Sequence, residues 1–118
     1  MTAMQFSIPC NPGDVVLVNF QYTDRPQVKK RPAVVLSVPQ YQQSRLDAVM
    51  VGLTTDLTRN YFGDCPIQEW EAAGLPKRSV AKGVIQTISQ DMVDRRLGTL
   101  TSNDFGRVQG SVKQIFGF

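Results

Sequence analysis

Apolar residues along this chain fall into short runs bounded by turn residues, a pattern of strands more than of helices. Pro12-Gly13-Asp14 signals a turn, and the β-branched run from Val15 to Phe20 reads as a strand. Gln21 to Lys30 is polar, carries Asp24, Arg25 and Pro26, and reads as a loop. Pro32 to Val38 and Ala48 to Thr54 are continuous apolar runs, too short and too β-branched for helices. Both read as strands covered on both faces, with Pro39 to Leu46 as their connection. Thr55 to Pro66 is irregular, and a helical turn is expected within Ile67 to Gly74, ending at Gly74 ahead of Pro76. Ser79 to Ile88 reads as a strand broken at Gly83, where a bulge or a close backbone approach is expected. Arg95 to Leu100 reads as a further short strand.

The last segment changes period. Thr101 and Asp104 have the spacing of a capping box, with Asp in place of the usual Glu or Gln. Phe105, Val108, Val112, Ile115 and Phe116 then recur at helical spacing and predict an apolar face packed on the core. Gly106 and Gly110 weaken this helix by about 1 kcal/mol each relative to Ala, so it depends on that packing. Several short strands, a few turns and a terminal helix predict a mainly β, α+β fold: a small, partly open antiparallel barrel with a C-terminal helix.

Composition narrows the function. The chain has 118 residues, 42% hydrophobic and 19% charged, which fits a single soluble domain. A net charge of +3 permits an acidic partner such as RNA without demanding one. No run approaches the roughly 18 apolar residues of a membrane span, and Met1 to Pro12 lacks the features of a secretory signal. Cys10 and Cys65 are far apart without a CxxC spacing and read as unpaired thiols in a reducing cytoplasm. Histidine is absent, which excludes a His base and His-containing zinc sites. The expectation is a protein without metal or cofactor.

Candidate chemistry gathers around Lys29-Lys30-Arg31-Pro32, where three successive cations meet an apolar strand. Proline holds the preceding residue extended, so Arg31 is fixed at the entrance to a sheet. A planar guanidinium on a rigid element suits a phosphate; a solvated basic loop is the plainer alternative. If the strands from Pro32 and from Ala48 pair antiparallel with Val38 opposite Asp47, Arg31 falls opposite Thr54. Opposed residues have Cα atoms about 4.5 to 5.5 Å apart. A slip of one residue would separate the two side chains onto opposite faces.

Several blocks resemble the PemK/MazF family of toxin ribonucleases. They are Gly13-Asp14-Val15-Val16-Leu17-Val18 with Phe20, and Lys30-Arg31-Pro32-Ala33-Val34-Val35-Leu36-Ser37. Trp70-Glu71-Ala72-Ala73-Gly74-Leu75, Lys77, Ser79-Val80, Thr87-Ile88 and Arg96-Leu97-Gly98-Thr99-Leu100 follow in the family's order. The resemblance implies one SH3-like domain with its core over residues 12–116, assembled as a homodimer in the cytoplasm. It further implies metal-independent, sequence-specific cleavage of single-stranded mRNA through 2′-OH attack, and an antitoxin protein as partner. On this resemblance Arg31 and Thr54 match the catalytic pair, and Asp24 matches an acidic loop residue and candidate base. Lys29 and Lys30 would hold RNA backbone, Lys82 and Gln86 would line the groove, and Tyr22 would stack on bases; Trp70 could stack too, but it reads first as partly buried, holding the irregular middle segment against the barrel. Where some relatives carry an Arg-x-Asp pair, this chain has Ala81 and Gly83. Two other readings stay open: a toxin of the same fold that binds a protein target such as gyrase, and a catalytically lapsed RNA-binding or regulatory module.

Overall fold

The computed structural model describes residues 10–20 and 29–118. Six strands form one antiparallel sheet: β1 (Asp14–Phe20), β2 (Lys29–Val35), β3 (Asp47–Thr54), β4 (Cys65–Pro66), β5 (Val80–Ser89) and β6 (Val93–Thr99). Their order across the sheet is β4-β5-β3-β2-β1-β6, and the sheet is not closed. A short helix α1 (Pro39–Arg45) joins β2 to β3, and α2 (Ser102–Phe116) follows β6.

Successive strand residues face opposite sides of a sheet, and here both sides are buried. Val16, Val18, Phe20, Ala33, Val35, Ala48 and Met50 build one core with Cys10, Ile88 and Val93. The intervening Val15, Val34, Val51 and Leu53 build a second core with Ala73, Leu75, Leu100 and Val108. The turn around residues 67–75 and helix α2 therefore cover the second face. This double burial is why the strand sequences read as unbroken apolar runs.

The connection from Pro39 to Leu46, expected only as a link, is helical. Pro39 is pre-set for a first helical position, and Leu46 ends the helix in the left-handed region at φ 60°. The helix is tied down by a polar relay. The Gln42 amide donates to the Cys10 carbonyl at 2.7 Å, and the Ser37 hydroxyl donates to Gln42 Oε1 at 3.1 Å. That hydroxyl also accepts the Val49 N–H at 3.0 Å, taking over from backbone pairing where β2 ends at Val35.

The expected interruption at Gly83 is a bulge. Val51 pairs with Ile85 and Leu53 with Ala81, so the register shifts where Lys82 to Val84 pass Gly52. A Cβ on Gly83 would lie 3.3 Å from the Ile115 side chain, so the backbone approach is close as well. Helix α2 starts as its spacing predicts: Thr101 Oγ1 accepts the Asp104 N–H at 3.3 Å. Its apolar stripe is less covered than expected. Val108 is buried, whereas Phe116 is 56% exposed. The deepest polar anchor is Asp104, 1% exposed, which accepts the N–H groups of Gln68 at 3.1 Å and Glu69 at 2.8 Å.

Candidate active site

The site grows from the place where β2 and β3 stop pairing. Their rungs are Val35–Met50, Val34–Val51 and Ala33–Gly52, and the next residue of β2 is Pro32, which has no N–H to give. These rungs hold the register of the symmetric pairing, and two positions beyond them Arg31 and Thr54 line one opening. The strands part beyond the last rung, and a cleft of about 200 Å³ opens there, lined by Arg31, Pro32, Leu53, Thr54, Asp56 and Ser79 among others.

The side chains in this cleft are held from below. Arg31 and Thr54 are both half-buried. Thr54 Oγ1 accepts the Asp56 N–H at 3.1 Å, which orients the hydroxyl and leaves its own proton to donate. Asp56 Oδ1 accepts the Thr58 N–H at 3.0 Å and the Thr58 hydroxyl at 2.6 Å, so this carboxylate is positioned too. Ser79 is buried and its hydroxyl donates to the Lys77 carbonyl at 2.9 Å. Asp56 and Ser79 were not singled out from sequence. The signal for Asp56 was present: an Asp just after a strand end, with Thr two residues on, is a side-chain-closed turn.

The remaining expected site residues divide. Asp24 and Tyr22 lie outside the described residues. Lys29 and Lys30 are exposed at the start of β2, and Lys30 pairs with Asp94 at 3.4 Å across the surface. Lys82 is turned inward: its side chain is 11% exposed and its ammonium is ion-paired with the Asp64 carboxylate, itself 3% exposed. That ammonium also sits 4.9 Å from the Tyr61 ring centre. The Asp64 carboxylate holds Lys82 in this orientation. Gln86 is half-buried opposite Met50.

A larger cavity of about 540 Å³ adjoins the cleft, with Ser79 in the walls of both. Trp70, Arg59, Arg78, Asn60, Gln68 and Asp64 are among its lining residues. Trp70 is half-buried and packs against the second core with one part while walling this cavity. No group of three or more His, Cys, Asp or Glu residues is arranged to hold a metal ion among the described residues.

Residues 11–116 match the family model of the PemK-like, MazF-like toxin of type II toxin–antitoxin systems. Among curated proteins, none matches the chain by sequence. Solved structures share the fold. MazF from Deinococcus radiodurans superposes with a TM-score of 0.75 at 18% identity, over 94% of this chain and 98% of that one. The Mycobacterium tuberculosis toxin MazF-mt6 gives 0.72 at 19% identity, over 89% and 97%. A mycobacterial endoribonuclease in complex with its cognate antitoxin gives 0.74 at 18%, over 93% and 97%.

Proposed function

Since the chain belongs to the PemK-like, MazF-like toxins of type II toxin–antitoxin systems, we propose that it is an endoribonuclease cutting single-stranded mRNA at the Arg31/Thr54 cleft, without a metal ion. The observation that carries this reading is the register of β2 and β3, which brings a guanidinium and an oriented hydroxyl to one opening in the sheet.

RNA supplies its own nucleophile in the 2′-OH. The 2′-oxygen bonds to the adjacent phosphorus, the bond to the 5′-oxygen breaks, and the products are a 2′,3′-cyclic phosphate and a free 5′-OH. A proton leaves the 2′-oxygen and one is delivered to the departing 5′-oxygen. Negative charge grows on the phosphoryl oxygens, and the Arg31 guanidinium stabilises it from a fixed position. Thr54 donates its remaining hydroxyl proton to one of those oxygens. Arg31 is unsuited to accept the 2′ proton, because arginine stays protonated up to pH values above 12. Asp56 shares the cleft and is held by Thr58, which makes it the proton acceptor within the described residues; Asp24, outside them, is the other candidate carboxylate. Lys29 and Lys30 hold the RNA backbone outside the cleft. The protein partner is an antitoxin, as in the mycobacterial complex that shares this fold.

The test is incubation of purified, antitoxin-free protein with a long mRNA in EDTA. Wild type is expected to cut at defined positions, leaving 5′-OH ends. Arg31→Ala should lose about 10² to 10³ in rate, and Asp56→Asn about 10² to 10⁴. A wild type that leaves the message intact overturns the reading and favours a toxin acting on a protein target.

A further inference from the structure

An ammonium taken out of water is tolerated only when it is closely paired, and Lys82 finds its partners on one segment of chain. The connection from β3 to β4 covers residues 55–64, and three of its members enclose the ammonium. Asp64 is ion-paired with it, the Arg59 carbonyl accepts from it at 3.5 Å, and the Tyr61 ring presents its face. The Asp64 carboxylate uses one oxygen for everything. Oδ2 takes both Lys82 and the Tyr61 N–H, while Oδ1 has no hydrogen-bond partner among the described residues. Without Lys82 this buried charge would keep a single N–H. The ammonium is therefore what holds the segment closed on β5. The start of the same segment walls the cleft. Thr54 Oγ1 accepts the Asp56 N–H, and the Asp56 carboxylate accepts the N–H and hydroxyl of Thr58. Thr58 adjoins Arg59, whose carbonyl Lys82 grips. A line of bonds thus runs from the β5 bulge through residues 59, 58 and 56 to the Thr54 hydroxyl. The bonds between Asp56 and Thr58 are local and exposed to water, so this turn alone is weakly held.

We propose that Lys82 is a positioning residue: clamped on Asp64 and the Arg59 carbonyl, it fixes residues 55–64 so that Asp56 and Thr54 keep their places in the cleft. The effect on cleavage rests on the ribonuclease reading, while the clamp itself does not. Because Asp64 neutralises the ammonium, Lys82 adds little field along the cleft. Its removal acts on the rate of the chemical step and leaves RNA binding as it was.

Three antitoxin-free proteins test this: wild type, Lys82→Met, and Lys82→Met combined with Asp64→Leu. The single change strands a buried carboxylate and lowers stability. The double change replaces the pair with apolar groups of similar size, which restores stability without restoring the clamp; it carries the test if the single variant fails to fold. Amide exchange followed by NMR should quicken about tenfold at Asp56 and Thr58 in both variants, while core amides of the double variant keep wild-type rates. On a transcript with a mapped cleavage site, kcat should fall about 10²-fold in both variants with KM unchanged. Wild-type exchange at Asp56 and Thr58 in the double variant overturns the clamp. So does a double variant that cuts as fast as wild type, because the single variant then lost only stability. A higher KM at unchanged kcat, with a flatter salt dependence, would make Lys82 a groove cation and overturn the clamp as well. Faster exchange at Asp56 and Thr58, in a protein whose wild type cuts no mRNA, would keep the clamp and sink the ribonuclease reading.

Discussion

Lys82 and Arg31 are both cations on strands, yet their surroundings set them to opposite uses. Lys82 lies in a bulge and closes on Asp64, an arrangement that also binds the Tyr61 N–H to Asp64 Oδ2 at 2.9 Å. Arg31 lies one residue before a proline, paired with Val18 of β1 on one side while the pairing with β3 has stopped on the other, and it lines the cleft there. Cys10 shows a third outcome of burial. Its thiol is pushed up from 9.0 to about 11, first by burial and then by the charge of Asp14, with Arg96 pulling the other way. The folded state therefore keeps this proton longer than the unfolded chain does. Stability from Cys10 is complete below the unfolded value and is lost as pH rises from about 9 to about 11. Melting temperatures of wild type and Cys10→Ala across that window should diverge, the wild type falling more steeply with pH. Parallel curves would refute the assignment.

Between elements, the turn that carries Trp70 is docked on β6 by two glycines. Gly74 has φ +81°, and a Cβ there would lie 2.1 Å from the Leu97 carbonyl oxygen; one on Gly98 would lie 2.2 Å from that of Ala73. Backbone meets backbone at this point, so no side chain can yield. Gly98→Ala should cost at or above about 3 kcal/mol, measured by urea unfolding; a loss below about 1 kcal/mol would mean that the turn can lift off. The turn, the strands and the terminal helix were legible in sequence because each is a local pattern: period, proline, glycine and cap. The register of β2 on β3 was legible because both runs are buried on both faces and a symmetric connection sets it. Helix α1 was not, since its seven residues are mostly polar and its one buried side chain is Gln42. Nor was the inward turn of Lys82, which depends on Asp64 from a segment with no period at all. Asp104 was legible only as a cap; its bonds to Gln68 and Glu69 join parts of the chain that sequence spacing cannot relate.

At the scale of the whole molecule, one end is apolar and bare. Phe62 is 79% exposed and Phe116 56%, and Ile115 from α2 abuts Gly63 in the turn beside Phe62. Phe116 and Phe118 stack with ring centres 5.5 Å apart. A homodimer formed through this end would cover these rings. Sedimentation should then find a dimer for wild type and a shift to monomer for Phe62→Ser with Phe116→Ser; a dimer unmoved by both changes would place the interface elsewhere. A last consequence concerns time. β1 lies between β2 and β6, and Asp14 at its start accepts a hydrogen bond from the Thr99 hydroxyl at 2.9 Å. During translation the strands bearing Arg31 and Thr54 leave the ribosome well before β6 and α2. Until those arrive, β1 lacks one neighbour and the second core lacks its cover, and such long-range pairing forms late. While they wait, Arg31 and Thr54 stand on an unfinished sheet, so the cleft between them is completed only after β6 and α2 have docked.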